Sequence, residues 1–210
     1  VFHIAFGSIC TLGVYVAVAL AGDDGSILRL VGSILAGGLV SAAATALVVA
    51  AIYQPLVNRG ADNGATFVSS LAVALLIQAL VVLAFGPNNQ SFPVDAFVRR
   101  HDVFGFGVSA FHVVGVVLAV LVVAGLGLLI NRTTFGHQVR AIASNREQAE
   151  LVGIRTRLMV PAACAIGGGF SVVAITLLGM NGAVVTTGGT QLALFAVLAA
   201  IAGGAGSIYA

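Results

Sequence analysis

The sequence is short of charge. Only 8% of its 210 residues are Asp, Glu, Lys or Arg, whereas 60% are hydrophobic, and soluble domains average roughly 25% charged residues. So few charges cannot cover the surface of a soluble fold of this length, which excludes a water-soluble globular protein. The net charge of +2 is also too small to predict a nucleic-acid partner.

Lysine is absent and cysteine is scarce. The Gly-rich stretch 203–207 lacks the Lys of a phosphate-binding P-loop, so the chain itself is not expected to bind ATP. Cys10 and Cys164 lie in separate apolar stretches without metal-ligand spacing, which favours two core thiols over a disulfide or a metal site. No cofactor is expected.

Apolar runs make up most of what is present. Each full run is near the roughly 20 residues that a bilayer helix needs, and a backbone in lipid must satisfy its own hydrogen bonds. We therefore predict an all-α fold, a polytopic transmembrane helical bundle of about six spans in a single domain, 1–210. Because Val1 is not a Met and Ala210 lies in an apolar run, we expect a fragment that is incomplete at both ends. The predicted spans are 2–21, 27–52, 65–85, 108–130, 159–180 and a sixth that begins at 191.

One polar stretch, 131–158, interrupts these runs. It holds five of the nine Arg residues, and an excess of basic residues marks cytoplasmic loops. We therefore predict that 131–158 is cytoplasmic, that loop 53–64 lies on the same side, and that loop 86–107 faces outside.

A short helix with marked ends is predicted within this stretch. Ser144 and Glu147 have the spacing of a capping box, and Gly153 suits the left-handed position just past a helix end. The residues alone leave two interpretations open: a helix that lies on the bilayer surface, or a docking element for a soluble partner. The residues assigned to this element are Ser144, Arg146, Glu147, Ala149, Glu150, Val152 and Gly153.

Polar residues in the first and third runs are candidates for a solute path. Gly7 and Gly13 are expected to break the first run, and a broken helix can expose backbone groups to a solute. The same glycines could serve only close helix packing, and both interpretations stay open. At Gln78, in the middle of the third run, a hydrogen bond between helices is favoured over a ligand contact. The candidate path residues are His3, Gly7, Ser8, Thr11 and Gln78.

Several short segments of the sequence match motifs of a known family. Residues 147–153, EQAELVG, follow the pattern E-A-A-x-x-x-G with Gln148 in place of the first Ala. This loop resembles that of ABC importer permeases, and in particular those for branched-chain amino acids. Val160-Pro161 lies roughly where the hydrophobic-Pro tail of that loop falls. The opening VFHIAFG is similar to the family's I-N-F-A-H-G signature but departs from it at His3, Phe6 and Ser8. Further matching pieces, in the family's order, are Tyr53-Gln54-Pro55-Leu56, Arg140-Ala141, Leu151-Val152-Gly153-Ile154 and Gly203-Gly204-Ala205-Gly206-Ser207.

The resemblance implies a function and a set of partners. Stretch 131–158 would be a coupling loop whose helix docks on an ATPase subunit. The chain would be a multi-pass permease subunit of the bacterial inner membrane and not an enzyme, since ATP hydrolysis would occur on a partner chain. It would import branched-chain amino acids or related small polar solutes. The implied partners are cytoplasmic ATP-binding subunits, a second, homologous permease subunit, a periplasmic or lipid-anchored solute-binding protein, and membrane lipid.

Two other functions are weighed against this one. An ion-coupled secondary transporter of small solutes usually places ionisable residues within its spans, and acids are missing from the span interiors here. An intramembrane enzyme would need a paired polar constellation such as Ser–His or Asp–Asp, and no convincing pair is present. The sequence does not separate branched-chain amino acids from urea or short amides as the substrate.

Overall fold

The computed structural model describes residues 4–22, 27–92, 100–103, 106–180 and 183–202, and it confirms the all-α class. Three helices are long and apolar enough to cross a membrane: Leu28–Asn58, Gly64–Phe85 and Thr156–Leu177. A bent pair, Val116–Arg132 with Thr134–Ser144, would form a fourth span, and two further apolar helices are shorter. Length and composition thus support three or four spans in the described residues, and the count of six stays a prediction.

Most helices follow the apolar runs, although their ends are displaced by a few residues. Among the described residues, a short antiparallel hairpin in which Arg100 pairs with Ser109 departs from the helical pattern. The elements are α1 (Ala5–Ala21), α2 (Ile27–Val48), a π-helical turn (Val49–Tyr53), α3 (Gln54–Asn58), α4 (Asn63–Phe85), β1 (Arg100–Val103), β2 (Phe106–Ser109), α5 (Ala110–Arg132), α6 (Thr134–Ser144), α7 (Arg146–Leu151), α8 (Thr156–Met180) and α9 (Gly188–Ala202).

The second apolar run stays helical for longer than the sequence indicates. α2 passes through the π-helical turn into α3, so the polar loop predicted to begin at Tyr53 is wrong as far as Asn58. The Gln54 N–H donates to the carbonyl of Val49, five residues back, which is the bond that defines a π-helical turn. Pro55 follows within this continuous helix and, because it has no N–H, cannot donate to the carbonyl four residues earlier.

Helix α1 is the centre of the bundle, and it contacts α2, α4, α8 and α9. It runs unbroken from Ala5 to Ala21, so the predicted break at Gly7 and Gly13 is wrong. A Cβ on Gly13 would lie 2.7 Å from the carbonyl oxygen of Gly37, and one on Gly37 would lie 2.3 Å from the oxygen of Gly13. These glycines allow two helix backbones to touch, which supports the packing interpretation.

The outside of the bundle is apolar and its interior contains small polar side chains. Leu39 and Leu83 are 72% and 83% exposed, whereas Ser41, Thr45 and Ser70 are fully buried. This arrangement reverses that of a soluble protein, in which large apolar side chains are buried. It suits a surface that faces lipid.

Helices α5 and α6 meet at an elbow of 79°. The side chain of Thr133 caps α6 by accepting a hydrogen bond from the Gly136 N–H at 3.1 Å. A Cβ on Gly136 would lie 2.1 Å from the carbonyl oxygen of Ile130, far inside van der Waals contact. The elbow in this form therefore requires glycine at position 136.

Substitution of Gly136 by alanine should open this elbow, because the new methyl group meets backbone and not a flexible side chain. Spin labels at Leu121 on α5 and His137 on α6, both exposed, would report the change as a shifted distance in double electron–electron resonance. Gly127→Ala is the matched control, since nothing lies within 4 Å of a Cβ there. An unchanged distance in Gly136→Ala would show that the elbow does not depend on this glycine.

Candidate functional site

The short helix predicted in the polar stretch is α7, but its N-terminal cap differs from the prediction. Asn145 caps α7: its Oδ1 accepts a hydrogen bond from the Gln148 N–H at 3.1 Å. Ser144 instead ends α6, so the predicted Ser144–Glu147 capping box is wrong. The physical reason is that Asn145 has the extended backbone of a cap, with φ −156° and ψ 108°, and Asn is as good a cap as Ser.

The C-terminal end of α7 agrees with the prediction. Gly153 has φ +85°, the left-handed conformation that favours glycine. Its N–H donates to the Glu150 carbonyl at 3.0 Å, and the Ile154 N–H donates to the Ala149 carbonyl at 3.0 Å. This pair of bonds is a Schellman motif, and it turns the chain from α7 towards α8.

The apolar surface expected on this helix from Ala149, Leu151 and Val152 is exposed only at the last two residues. Ala149 is only 3% exposed and belongs to the packed side of the helix. Leu151 and Val152 are 86% and 77% exposed, and we call this pair the apolar tip. Glu147 and Gln148 are also exposed, so a partner would meet the apolar tip beside a carboxylate.

The charged residues Arg146 and Glu150 hold α7 in place. Arg146 Nε lies 3.3 Å from Glu150 Oε1, and Arg146 Nη2 donates to Asn58 Oδ1 at 3.3 Å. The hydroxyl of Thr156 donates to Glu150 Oε1. The hydrogen bonds from Thr156 and then Arg146 lower the pKa of Glu150 below its ordinary value, so this carboxylate is charged at neutral pH. Arg146 therefore links α7 to α3, and Glu150 links α7 to α8.

An open groove of about 720 Å³ lies beside α7. Arg155 and Arg157 on its wall are exposed, and neither forms an ion pair with another residue that the structure describes. The groove therefore presents positive charge to solvent. Its lining residues are Asn58, Arg146, Glu150, Ile154, Arg155, Thr156, Arg157 and Leu158.

Three of the candidate path residues come together at the start of α9. The Gly189 N–H donates to Thr11 Oγ1 at 3.1 Å, and Ser8 Oγ lies 3.4 Å from Thr190 Oγ1. A Cβ on Gly7 would lie 2.4 Å from the carbonyl oxygen of Gly189. Ser8 and Thr11 are 2% and 1% exposed. These residues form a buried polar contact between two helices, which we call the α1–α9 contact.

The other two candidates are not part of this contact. His3 lies outside the described residues. Gln78 is half-buried in α4 and forms no hydrogen bond with another described residue, so the predicted bond between helices is not found among them.

Two further contacts that involve α1 and the chain before α9 were not predicted from the sequence. The Tyr15 hydroxyl donates to the Val184 carbonyl at 3.2 Å, and Val184 forms a β-bridge with Gln90. No local pattern in the sequence points to these pairings, because each joins residues far apart in the chain.

Comparison with known proteins decides the family. The model of the family described as "Branched-chain amino acid transport system / permease component" matches residues 1–210. The chain belongs to this family.

Curated relatives of the permease agree with this assignment. The high-affinity branched-chain amino acid transport system permease protein BraD of Pseudomonas aeruginosa is 27% identical over 217 residues, which cover 98% of this chain and 70% of that protein. The corresponding permease protein LivH of Escherichia coli is 26% identical over 218 residues, with the same two coverages. No solved structure matches the permease.

The family and the apolar helices together define the class of protein. The permease is a multi-pass membrane protein and a transport component rather than an enzyme. The resemblance to branched-chain amino acid permeases seen in the sequence is thereby confirmed.

Proposed function

We propose that the permease is a subunit of an ABC importer that moves branched-chain amino acids or related small polar solutes inward across the bacterial inner membrane. Separate cytoplasmic ATP-binding subunits drive the movement. A second, homologous permease subunit and a periplasmic or lipid-anchored solute-binding protein complete the transporter. The observation that carries this proposal is the geometry of α7, which exposes an apolar tip on a helix that is fastened to the bundle.

The apolar tip is suited to insertion into a groove of an ATP-binding subunit. Two large apolar side chains that are more than three-quarters exposed gain free energy when a partner covers them. Glu147 beside them can pair with a basic residue of the partner. Stretch 131–158 lies in the cytoplasm in this proposal, as its Arg content favours.

The hydrogen bonds of α7 connect a docked partner to the membrane helices. Arg146 bonds to Asn58 of α3, and Glu150 bonds to Thr156 at the start of α8. A movement of α7 is therefore passed to two helices that continue into the bundle. An ATP-driven transporter needs such a link, because its two sites must be coupled over a distance.

The positive groove is the second part of the docking surface. Arg155 and Arg157 would meet acidic side chains of the same ATP-binding subunit. Complementary charge of this kind mainly sets the orientation and the rate of association.

The solute path lies along the α1–α9 contact in this proposal. Separation of α9 from α1 would expose the hydroxyls of Ser8, Thr11 and Thr190, which can bind the polar groups of a small solute. His3 and Gln78 remain further candidates for the path.

Leucine uptake by the complete transporter in proteoliposomes tests the proposal. Leu151→Asp places a charge in the apolar tip and should lower ATP-dependent uptake at least about tenfold, the loss typical of a central interface residue. The matched control is Gln148→Glu, which adds the same charge to the same helix without removing apolar surface. It should leave uptake within about twofold of the wild type, since exposed charges have small effects.

Two outcomes would count against the proposal. Normal uptake by Leu151→Asp would show that the apolar tip does not dock on an ATP-binding subunit. Uptake that needs an ion gradient and continues without ATP would support the ion-coupled secondary transporter instead.

A further inference from the structure

Pro161 leaves one carbonyl group of α8 without its usual partner. This proline lies inside α8 and has no N–H, so it cannot donate to the carbonyl four residues earlier. That carbonyl belongs to Arg157. A freed carbonyl that is shielded from water costs free energy unless a neighbouring group donates a hydrogen bond to it.

Gln54 supplies the missing donor. Its Nε2 donates to the Arg157 carbonyl at 2.9 Å, and the residue is only 6% exposed. Gln54 is the first residue after the π-helical turn, where its N–H bonds to the Val49 carbonyl. The extra residue of a π-helical turn rotates the helix that follows it, and such turns are frequent at functional sites.

The bond between Gln54 and Arg157 lies next to the proposed docking surface. Arg157 lines the positive groove, and Asn58, one turn beyond Gln54, receives the hydrogen bond from Arg146 of α7. The helix formed by α2 and α3 is therefore bonded to the first residue of α7 and to the second residue of α8.

We infer that Gln54 is a positioning residue for transport. Its side chain satisfies the carbonyl that Pro161 frees in α8. The same bond connects the first turns of α8 to α3, so that a movement of α7 shifts both helices together. This inference rests on the proposed function. It adds a residue remote from α7 in sequence, whose effect on stability depends on Pro161 and whose effect on transport does not.

A double-mutant cycle between Gln54 and Pro161 tests the inference. Gln54→Leu removes the donor at similar volume and should lower the midpoint of thermal unfolding of the full-length permease in detergent by about 2–4 °C. In Pro161→Ala, residue 161 regains an N–H that can donate to Arg157. The midpoint of the double variant should therefore equal that of Pro161→Ala alone.

Transport separates positioning from mere stability. In the complete transporter, Gln54→Leu should lower the number of solute molecules taken up per ATP by about tenfold, within the usual range for coupling between sites. Uptake per ATP should stay low in the double variant, because its Arg157 carbonyl is satisfied but α8 is no longer tied to α3.

Gln78→Leu is the matched control for the stability measurement. Any change that it makes to the unfolding midpoint should be the same with and without Pro161→Ala.

Each contrary result is informative. If Gln54→Leu lowers the unfolding midpoint as much in the Pro161→Ala background as in the wild type, Gln54 does not serve the carbonyl freed by Pro161. Recovery of uptake per ATP in the double variant would reduce Gln54 to a structural role. If Leu151→Asp transports normally, the proposed function fails, yet the stability measurements still decide whether the bond exists.

Discussion

Replacement of Gly153 by valine is expected to stop solute uptake while the permease stays in the membrane. Gly153 has φ +85°, and a residue with a Cβ pays roughly 1–2 kcal/mol in the left-handed conformation, the more so when it is β-branched. The Schellman motif would be lost and the apolar tip would turn away from its docking direction. Uptake and ATP hydrolysis measured in the same proteoliposomes should show hydrolysis without transport.

Gly86→Val is the matched control for this prediction. Gly86 has φ +82° and ψ 170°, a conformation essentially confined to glycine, and nothing lies within 4 Å of a Cβ there. Valine therefore brings at least as much backbone strain at the C-terminal end of α4, away from α3 and α7. Uptake should stay near that of the wild type.

Glu147→Arg should act like Gly153→Val, since it reverses the exposed charge beside the apolar tip. Near-normal uptake by Gly153→Val, with the ATP-binding subunit still bound, would make α7 an ordinary interfacial helix.

Alanine at Gly37 is expected to cause a large loss of stability. Its Cβ would lie 2.3 Å from the Gly13 carbonyl oxygen and 2.9 Å from the Cβ of Ala17, so α1 and α2 would have to separate. Overpacking of this kind typically costs about 1–3 kcal/mol. Thermal unfolding in detergent should therefore begin at a lower temperature, by about 2–4 °C for each kcal/mol.

Gly32→Ala on the same helix should have the opposite sign. Nothing lies within 4 Å of a Cβ at Gly32, and alanine is favoured over glycine inside a helix by roughly 0.5–1 kcal/mol. Equal unfolding temperatures for the two variants would mean that α1 and α2 do not touch through their backbones.

Hydropathy was enough to predict the helical class and the position of most helices, because lipid demands long apolar segments with internal hydrogen bonds. It failed at residues 53–58. Tyr53, Gln54 and Asn58 are polar enough to suggest a loop, yet the amides of Gln54 and Asn58 meet partners more than 80 positions away. Such partners are invisible to a local pattern.

In the candidate docking helix, α7, some residues could be assigned from the local sequence and others could not. Gly153 was predictable because its conformation depends on the chain next to it. The choice between Ser144 and Asn145 as the cap was not, since both residue types serve equally well and adjacent helices compete for them. The burial of Ala149 and the bond between Glu150 and Thr156 depend on where α8 returns, which the sequence alone does not reveal.

Gly7 and Gly189 also constrain how this protein can evolve. A Cβ at either position would meet the backbone oxygen of the other, at 2.4 Å and 2.1 Å respectively. A mutation at one position forces α1 and α9 apart, and once they are apart the other position no longer needs glycine. We therefore expect the two glycines to be kept together or lost together as lineages diverge.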